Sequence, residues 1–323
     1  MGKEAFRGGI RANLLHLGTN MWNAGKVTKL DFDEATWRAF TDAMPAKGFN
    51  MLVVDLGEGV VYPSHPELAV EGSWTPQRLR AELARLRSIG LEVVPKLNFS
   101  TTHDAWLGEY ERMVSTPTYY RVCSDIIRDV AEMFDRPRLF HLGFDEEGVR
   151  HQEKYPISIL RQGELWWHDF LFMVGETEKA GSRAWIWADK YWTEPGEFLA
   201  RMPKSVLQSV WYYDASFDIA ELKTHEREEL AKEPRRCVNW RRVQSFIDID
   251  RAGYEQVPCG SQWACDANIG NLVAFCGGNI SAERLKGYMM APWVMTVPEK
   301  RDTGMRALDL AAAAFAAART KAN

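Results

Sequence analysis

The sequence predicts a single (β/α)8 barrel spanning residues 1–323, and three observations carry that prediction. Eight short apolar or β-branched runs recur along the chain, most of them followed by helical periodicity or a helix-start signal, an alternation that requires parallel strands joined by helical crossovers. Eight strands close such a barrel, and 323 residues lie within the range of barrels that stay in one domain. Polar and aromatic residues follow most of the runs, and the C-terminal strand ends form the mouth of this architecture.

Strands are expected at Ile10–Leu17, Met51–Leu56, Glu92–Leu97, Leu139–Gly143, Ala184–Ala188, Val206–Trp211, Gln256–Gly260 and Gly287–Trp293. Thr75-Pro76 and Thr116-Pro117 each place a capping hydroxyl before a proline at the first helical position, so both mark sharp helix starts. Leu79, Leu83 and Leu86 then share one face with Gly90 as the stop, and Val122, Ile126, Val130 and Met133 share another. Met305–Ala318, rich in alanine, suits a closing helix that packs Leu308, Leu310 and Phe315. Between Asp214 and Trp240 the pattern weakens to an irregular insertion with one helix-like run, Ile219–Ala231.

Composition narrows the function. Hydrophobic residues at 46% and charged residues at 26% describe a folded globular chain, and a net charge of −4 provides no field for phosphates. Nucleic acid is therefore not an expected partner, and the small basic groups Pro234-Arg235-Arg236 and Arg241-Arg242 read as solvated faces. No stretch approaches the roughly 18 apolar residues of a membrane span, and the start lacks the apolar run of a secretory signal. Cys123, Cys237, Cys259, Cys265 and Cys276, odd in number and without Cys-x-x-Cys spacing, read as buried reduced thiols. No cofactor is implied.

Strand two runs into Asp55, strand three into Asn98 and His103, strand four through His141 into Asp145-Glu146-Glu147, and strand five into Trp187, Asp189 and Trp192. Strand six adds Trp211, Tyr212 and Tyr213, strand seven Gln262, Trp263 and Asp266, and strand eight Trp293. Sugar rings present apolar C–H faces edged by hydroxyls, so a sugar site needs flat aromatic walls together with carboxylate partners. A carbohydrate is accordingly the expected partner, with Asp145-Glu146-Glu147 at the heart of the site and His141 as support for the acids.

Longer motifs sharpen this reading. The fourth strand reads His141-Leu142-Gly143-Phe144-Asp145-Glu146, the third Gly90-Leu91-Glu92-Val93-Val94-Pro95-Lys96-Leu97-Asn98 followed by His103, and Tyr62-Pro63 and Pro66-Glu67-Leu68 follow the second. On these segments the chain resembles the family 20 glycoside hydrolases, the β-N-acetylhexosaminidases, whose fourth strand ends His-x-Gly-Gly-Asp-Glu. The resemblance covers essentially the whole chain and implies that the substrate's acetamido group is the nucleophile. It also implies that Asp145 orients this group and that Glu146 is the general acid/base, with its pKa raised by burial and tuned by His103. Asp55, His103, His141, Glu147, Trp187, Trp211, Tyr213, Trp263, Asp266 and Trp293 are the expected substrate contacts, and Arg7 or Arg11 the loose match to the family's sugar-binding arginine.

The chain departs from the family at Phe144, at Trp293-Val294-Met295 where a glutamate is expected, and at Ser261–Asp266, which lacks a tyrosine that Tyr212 or Tyr213 would replace. The alternatives are a glycosidase of the same fold using Glu146 with Asp145 or Glu147 on plain sugars, and a carbohydrate-binding barrel without turnover. A metal-dependent barrel with Asp55, His103, His141, Asp145 and Glu146 as ligands ranks last, since no chelating His-x-His pair is present.

Overall fold

The computed structural model describes residues 9–23, 25–227 and 239–322. Arg7, Cys237 and Pro234-Arg235-Arg236 lie outside the described residues. Eight parallel strands form one sheet: β1 (Ile10–His16), β2 (Met51–Asp55), β3 (Glu92–Lys96), β4 (Leu139–His141), β5 (Arg183–Trp187), β6 (Leu207–Ser209), β7 (Cys259–Gly260) and β8 (Gly287–Met290). Their hydrogen-bonded order is β6-β5-β4-β3-β2-β1-β8-β7, and single parallel bridges, Gln208 with Gln256 and Trp211 with Cys259, join the two ends. The sheet is thereby a (β/α)8 barrel, with every expected strand present.

The crossovers are helical. Helices α1 (Glu34–Ala46), α2 (Pro76–Ser88), α3 (Pro117–Met133) and α4 (Gly163–Lys179) serve the first half of the barrel, and short α5 (Lys190–Thr193) and α6 (Pro195–Arg201) follow β5. Helices α7 (Ile219–His225), α8 (Asn239–Arg251), α9 (Asn268–Asn279) and α10 (Arg301–Ala322) complete the ring. Both threonine caps form, Thr75 Oγ1 accepting from Arg78 N at 3.2 Å and Thr116 Oγ1 from Tyr119 N at 3.3 Å. Each such cap stabilises its helix by about 1 kcal/mol. Gly90, at φ +92°, follows the end of α2 in the left-handed region that glycine enters without strain.

Two boundaries differ from expectation. The final helix starts four residues early, at Arg301. Between β6 and β7 the expected irregular insertion, Asp214–Trp240, gives way at Asn239 to the described residues of α8, which bury Val243, Phe246 and Ile249 like any other barrel helix. Of the expected Ile219–Ala231 helix, α7 confirms Ile219–His225, and residues 228–231 lie outside the described range.

Among the described residues no helix is long and apolar enough to cross a membrane. Cys123, Cys259, Cys265 and Cys276 are free thiols, the first two and Cys276 buried.

Candidate active site

The β4 exit is a contorted loop. Gly143, Phe144 and Glu146 all have positive φ, at 74°, 68° and 57°. For a residue with a Cβ this region costs roughly 1–2 kcal/mol, so surrounding bonds must hold Phe144 and Glu146 in place. Ser100 Oγ donates to Asp145 O at 2.5 Å, Thr102 Oγ1 to Glu146 O at 2.7 Å, and Glu146 N donates to Asp189 Oδ2 at 3.1 Å. Glycine is required at 143, since a Cβ there would lie 2.0 Å from Asn98 Oδ1. That close approach lets Asn98 Nδ2 donate to Asp145 Oδ1 at 2.7 Å.

The loop delivers Asp145 and Glu146 to one histidine. His103 Nε2 stands 3.5 Å from Asp145 Oδ2 and 3.3 Å from Glu146 Oε2. One donor atom from each of the three lies within 4.8 Å of the others, so this trio could also grip a cation. The wider ligand set considered from sequence does not assemble, because Asp55 and His141 are engaged elsewhere.

Burial raises the pKa of Asp145, against the opposing charges of His103 and Lys96. Burial together with the charges of Asp145 and Glu146 pushes Asp189 well above the usual carboxylate range. Glu146 goes the other way: burial would raise it, but the His103 hydrogen bond and the charges of His103, His151 and Arg242 bring it below its ordinary value. This corrects the expectation of a raised Glu146: the His103 contact foreseen from sequence outweighs burial once the charges of His151 and Arg242, which the sequence did not associate with it, are added.

A cleft of about 360 Å³ opens on the Glu146 side of the trio, between Phe144, Trp166, Trp192, Trp211, Asp189 and Arg242. Trp211 donates to Asp189 Oδ1 at 2.6 Å and stacks on Tyr213, centroids 4.8 Å apart at 23°. Trp293, itself at φ 52°, extends this row of rings 6.3 Å from Tyr213, though neither of these two lines the cleft itself. Arg242 lies over Trp192 and Trp211 at 4.7 and 5.0 Å, so it belongs to the cleft and not to a solvated face. Of the two candidate tyrosines, Tyr213 joins the aromatic wall, while Tyr212 packs backwards against Phe217.

Several expected contacts lie elsewhere. Asp55 is buried in an ion pair with Lys96, with His16 3.4 Å away, and these charges hold its carboxyl far below the usual range despite burial. With His16 and His103 it borders a chamber of only about 10 Å³, room for one water. Both oxygens of Glu147 are committed, one to Arg161 and Thr101 N, the other to the Trp166 indole, so Glu147 braces the loop. Asp266 pairs with Arg306 of α10, and Trp263 is 73% exposed, both outside the cleft lining. Arg11 donates to Gly48 O and Gly9 O below β1, at the end of the barrel away from the acids.

His141 and Trp187 form a buried floor, rings 4.7 Å apart. His141 Nδ1 accepts from Gly143 N at 3.1 Å, and burial with the Lys96 charge depresses its pKa well below normal, so it is a neutral brace for the loop. Sequence reasoning undervalued three residues of the site: Asn98, Asp189 and Arg242. The first two carried a signal, since each follows a strand end by two residues; Arg242 carried none, because it comes from a crossover helix, in the first turn of Asn239–Arg251.

The fold and site thus define a (β/α)8 barrel whose mouth joins adjacent acids, a histidine and an aromatic wall. Among solved structures the chain is similar to the β-N-acetylhexosaminidase of Bacteroides fragilis, at TM-score 0.61 and 13% identity over 95% of this chain and 65% of that one. It is similar to the chitobiase of Flavobacterium johnsoniae at TM-score 0.62 and 17% identity, covering 95% of this chain and 48% of that one. Dispersin B superposes at TM-score 0.57 and 13% identity, over 94% and 98% of the two chains. The chain therefore has the fold of the family 20 hexosaminidases and spans about half to two thirds of the length of the first two. No family model matches the sequence, and no curated protein matches it.

Proposed function

We propose that this chain is a retaining glycosidase that removes β-linked N-acetylhexosamine units with the substrate's acetamido group as nucleophile. The observation that carries the reading is the meeting of Asp145 and Glu146, adjacent in sequence, at His103 beside an aromatic wall. In this reading Asp145 accepts from the acetamido N–H, Tyr213 donates to its carbonyl oxygen, and that oxygen forms a bond to the anomeric carbon. The glycosidic C–O bond breaks as Glu146 protonates the leaving oxygen; Glu146 then takes a proton from water as that water opens the ring intermediate.

The resting pKa directions fit a proton that moves on binding. An amide donor on Asp145 favours its ionised form, whereas a sugar covering Glu146 strips its water and raises its pKa. Substrate thus exchanges the protonation preferences of the two acids. The wall of Trp211, Tyr213 and Trp293 supplies the sugar's apolar face.

Hydrolysis of nitrophenyl β-glycosides of N-acetylglucosamine, N-acetylgalactosamine, glucose and galactose tests the reading. Release from the acetamido sugars alone, lowered by a factor on the order of 10²–10⁴ in Glu146→Gln, supports it. Release from the plain sugars moves the mechanism to a carboxylate pair, and release from none replaces catalysis with sugar binding.

A further inference from the structure

Asp189 lines the cleft, and its two oxygens serve different walls of it. Oδ2 accepts from the backbone N–H of Glu146, and Oδ1 accepts from the indole of Trp211. These bonds join the ends of β4, β5 and β6. Glu146 is the end that needs holding, for its φ of 57° is one that a residue with a side chain seldom adopts. Its carbonyl is held by Thr102 and by Gly148 N at 2.7 Å, but among the described bonds its N–H has Asp189 alone.

We infer that Asp189 is the positioning residue of the general acid, aiming the Glu146 carboxyl at the leaving oxygen by fixing its peptide and tying it to the Trp211–Tyr213 wall. The inference rests on the glycosidase reading above. The carboxyl is suited to the task because, ionised or protonated, it keeps an acceptor lone pair on each oxygen and can accept from both N–H groups at once. An amide of the same size can accept with its oxygen only, so its NH2 faces one of the donors and the Glu146 peptide loses its register. Asp189 needs no contact with substrate for this role.

General-acid aim has a signature that mere loss of structure lacks. A poor leaving group must be protonated as it departs; a dinitrophenolate leaves without help. The test compares wild type with Asp189→Asn on a methyl or disaccharide β-N-acetylglucosaminide and on the 2,4-dinitrophenyl β-N-acetylglucosaminide. The expected result is a fall in kcat on the order of 10²-fold for the poor leaving group, with KM within about threefold, and a fall of no more than about threefold for the dinitrophenyl substrate. Equal losses on both substrates, or no loss on either, overturn the inference.

Should Asp189→Asn not fold, Asp189→Glu keeps a carboxyl but displaces its oxygens by a methylene, and the same selective pattern is expected at roughly tenfold. A uniform loss there overturns the inference too. Failure of the parent reading looks different, since wild type would then release nothing from either acetamido substrate or would also cleave the plain-sugar glycosides.

Discussion

Asp55 and Asp145 stand at the ends of β2 and β4, both buried, and they behave in opposite ways. Asp55 meets Lys96, its registered partner on β3, and is held ionised beside a chamber with room for one water. Asp145 meets only an amide and an imidazole, its pKa rises, and beside it lies an open cleft. A buried acid with a buried cation is a structural element that cannot change its charge at ordinary pH. A buried acid among neutral or titratable partners retains a choice of protonation state, which catalysis requires.

The comparison is tested hardest at the acids themselves. Glu146→Gln should abolish turnover by a factor of about 10³ with thermal stability unchanged, read by glycoside hydrolysis and calorimetry. Asp55→Asn should do the reverse, leaving Lys96 buried without its counter-charge. The expected loss is about 3–5 kcal/mol in a denaturant titration, and retention of full stability would make Asp55 a site residue after all.

Asp104 sharpens the contrast with pH. Its carboxyl is fully buried, one oxygen has no partner, and Arg112 stands 3.5 Å from the other; burial, partly offset by Arg112, lifts its pKa from 3.8 to about 7. The folded state therefore keeps a proton that the unfolded chain releases near pH 4. Its contribution to stability is complete below that point and is lost as pH rises through 7. Asp104→Asn should flatten this decline, by an amount on the order of 4 kcal/mol between pH 4 and 8 in melting experiments. The smallest effect is expected at Trp263, where alanine should change stability by less than about 0.5 kcal/mol and leave kcat/KM within about twofold. A tenfold rise in KM would return Trp263 to the sugar site.

The barrel was legible because strand runs and capping threonines are local signals. The Asp145–Glu146 pair was legible for the same reason, standing at a strand end. What was hidden depends on which distant partner a side chain meets. Glu147 looked equivalent to its neighbours until Arg161 and Trp166 were found on it, and Asp266 looked like a mouth residue until Arg306 reached it. The lowered pKa of Glu146 comes first from His103, and then from His151 and from Arg242 on α8, two partners that its place in the chain does not reveal. Asp55 was the recoverable case, since aligning β2 with β3 places it beside Lys96.

The joint between β6 and β7 gives the molecule a direction of breathing. Strands β1 and β2 pair over five registered positions, but β6 and β7, three and two residues long, meet through single bridges at Gln208–Gln256 and Trp211–Cys259. Local opening follows the thinnest ladder, so the amides of Val257 and Cys259 should exchange their hydrogens with solvent before those of Leu52 and Val54. Because Trp211 belongs both to this joint and to the wall of the cleft, an occupied cleft should act as a latch, slowing exchange at the seam while leaving β1 and β2 unchanged.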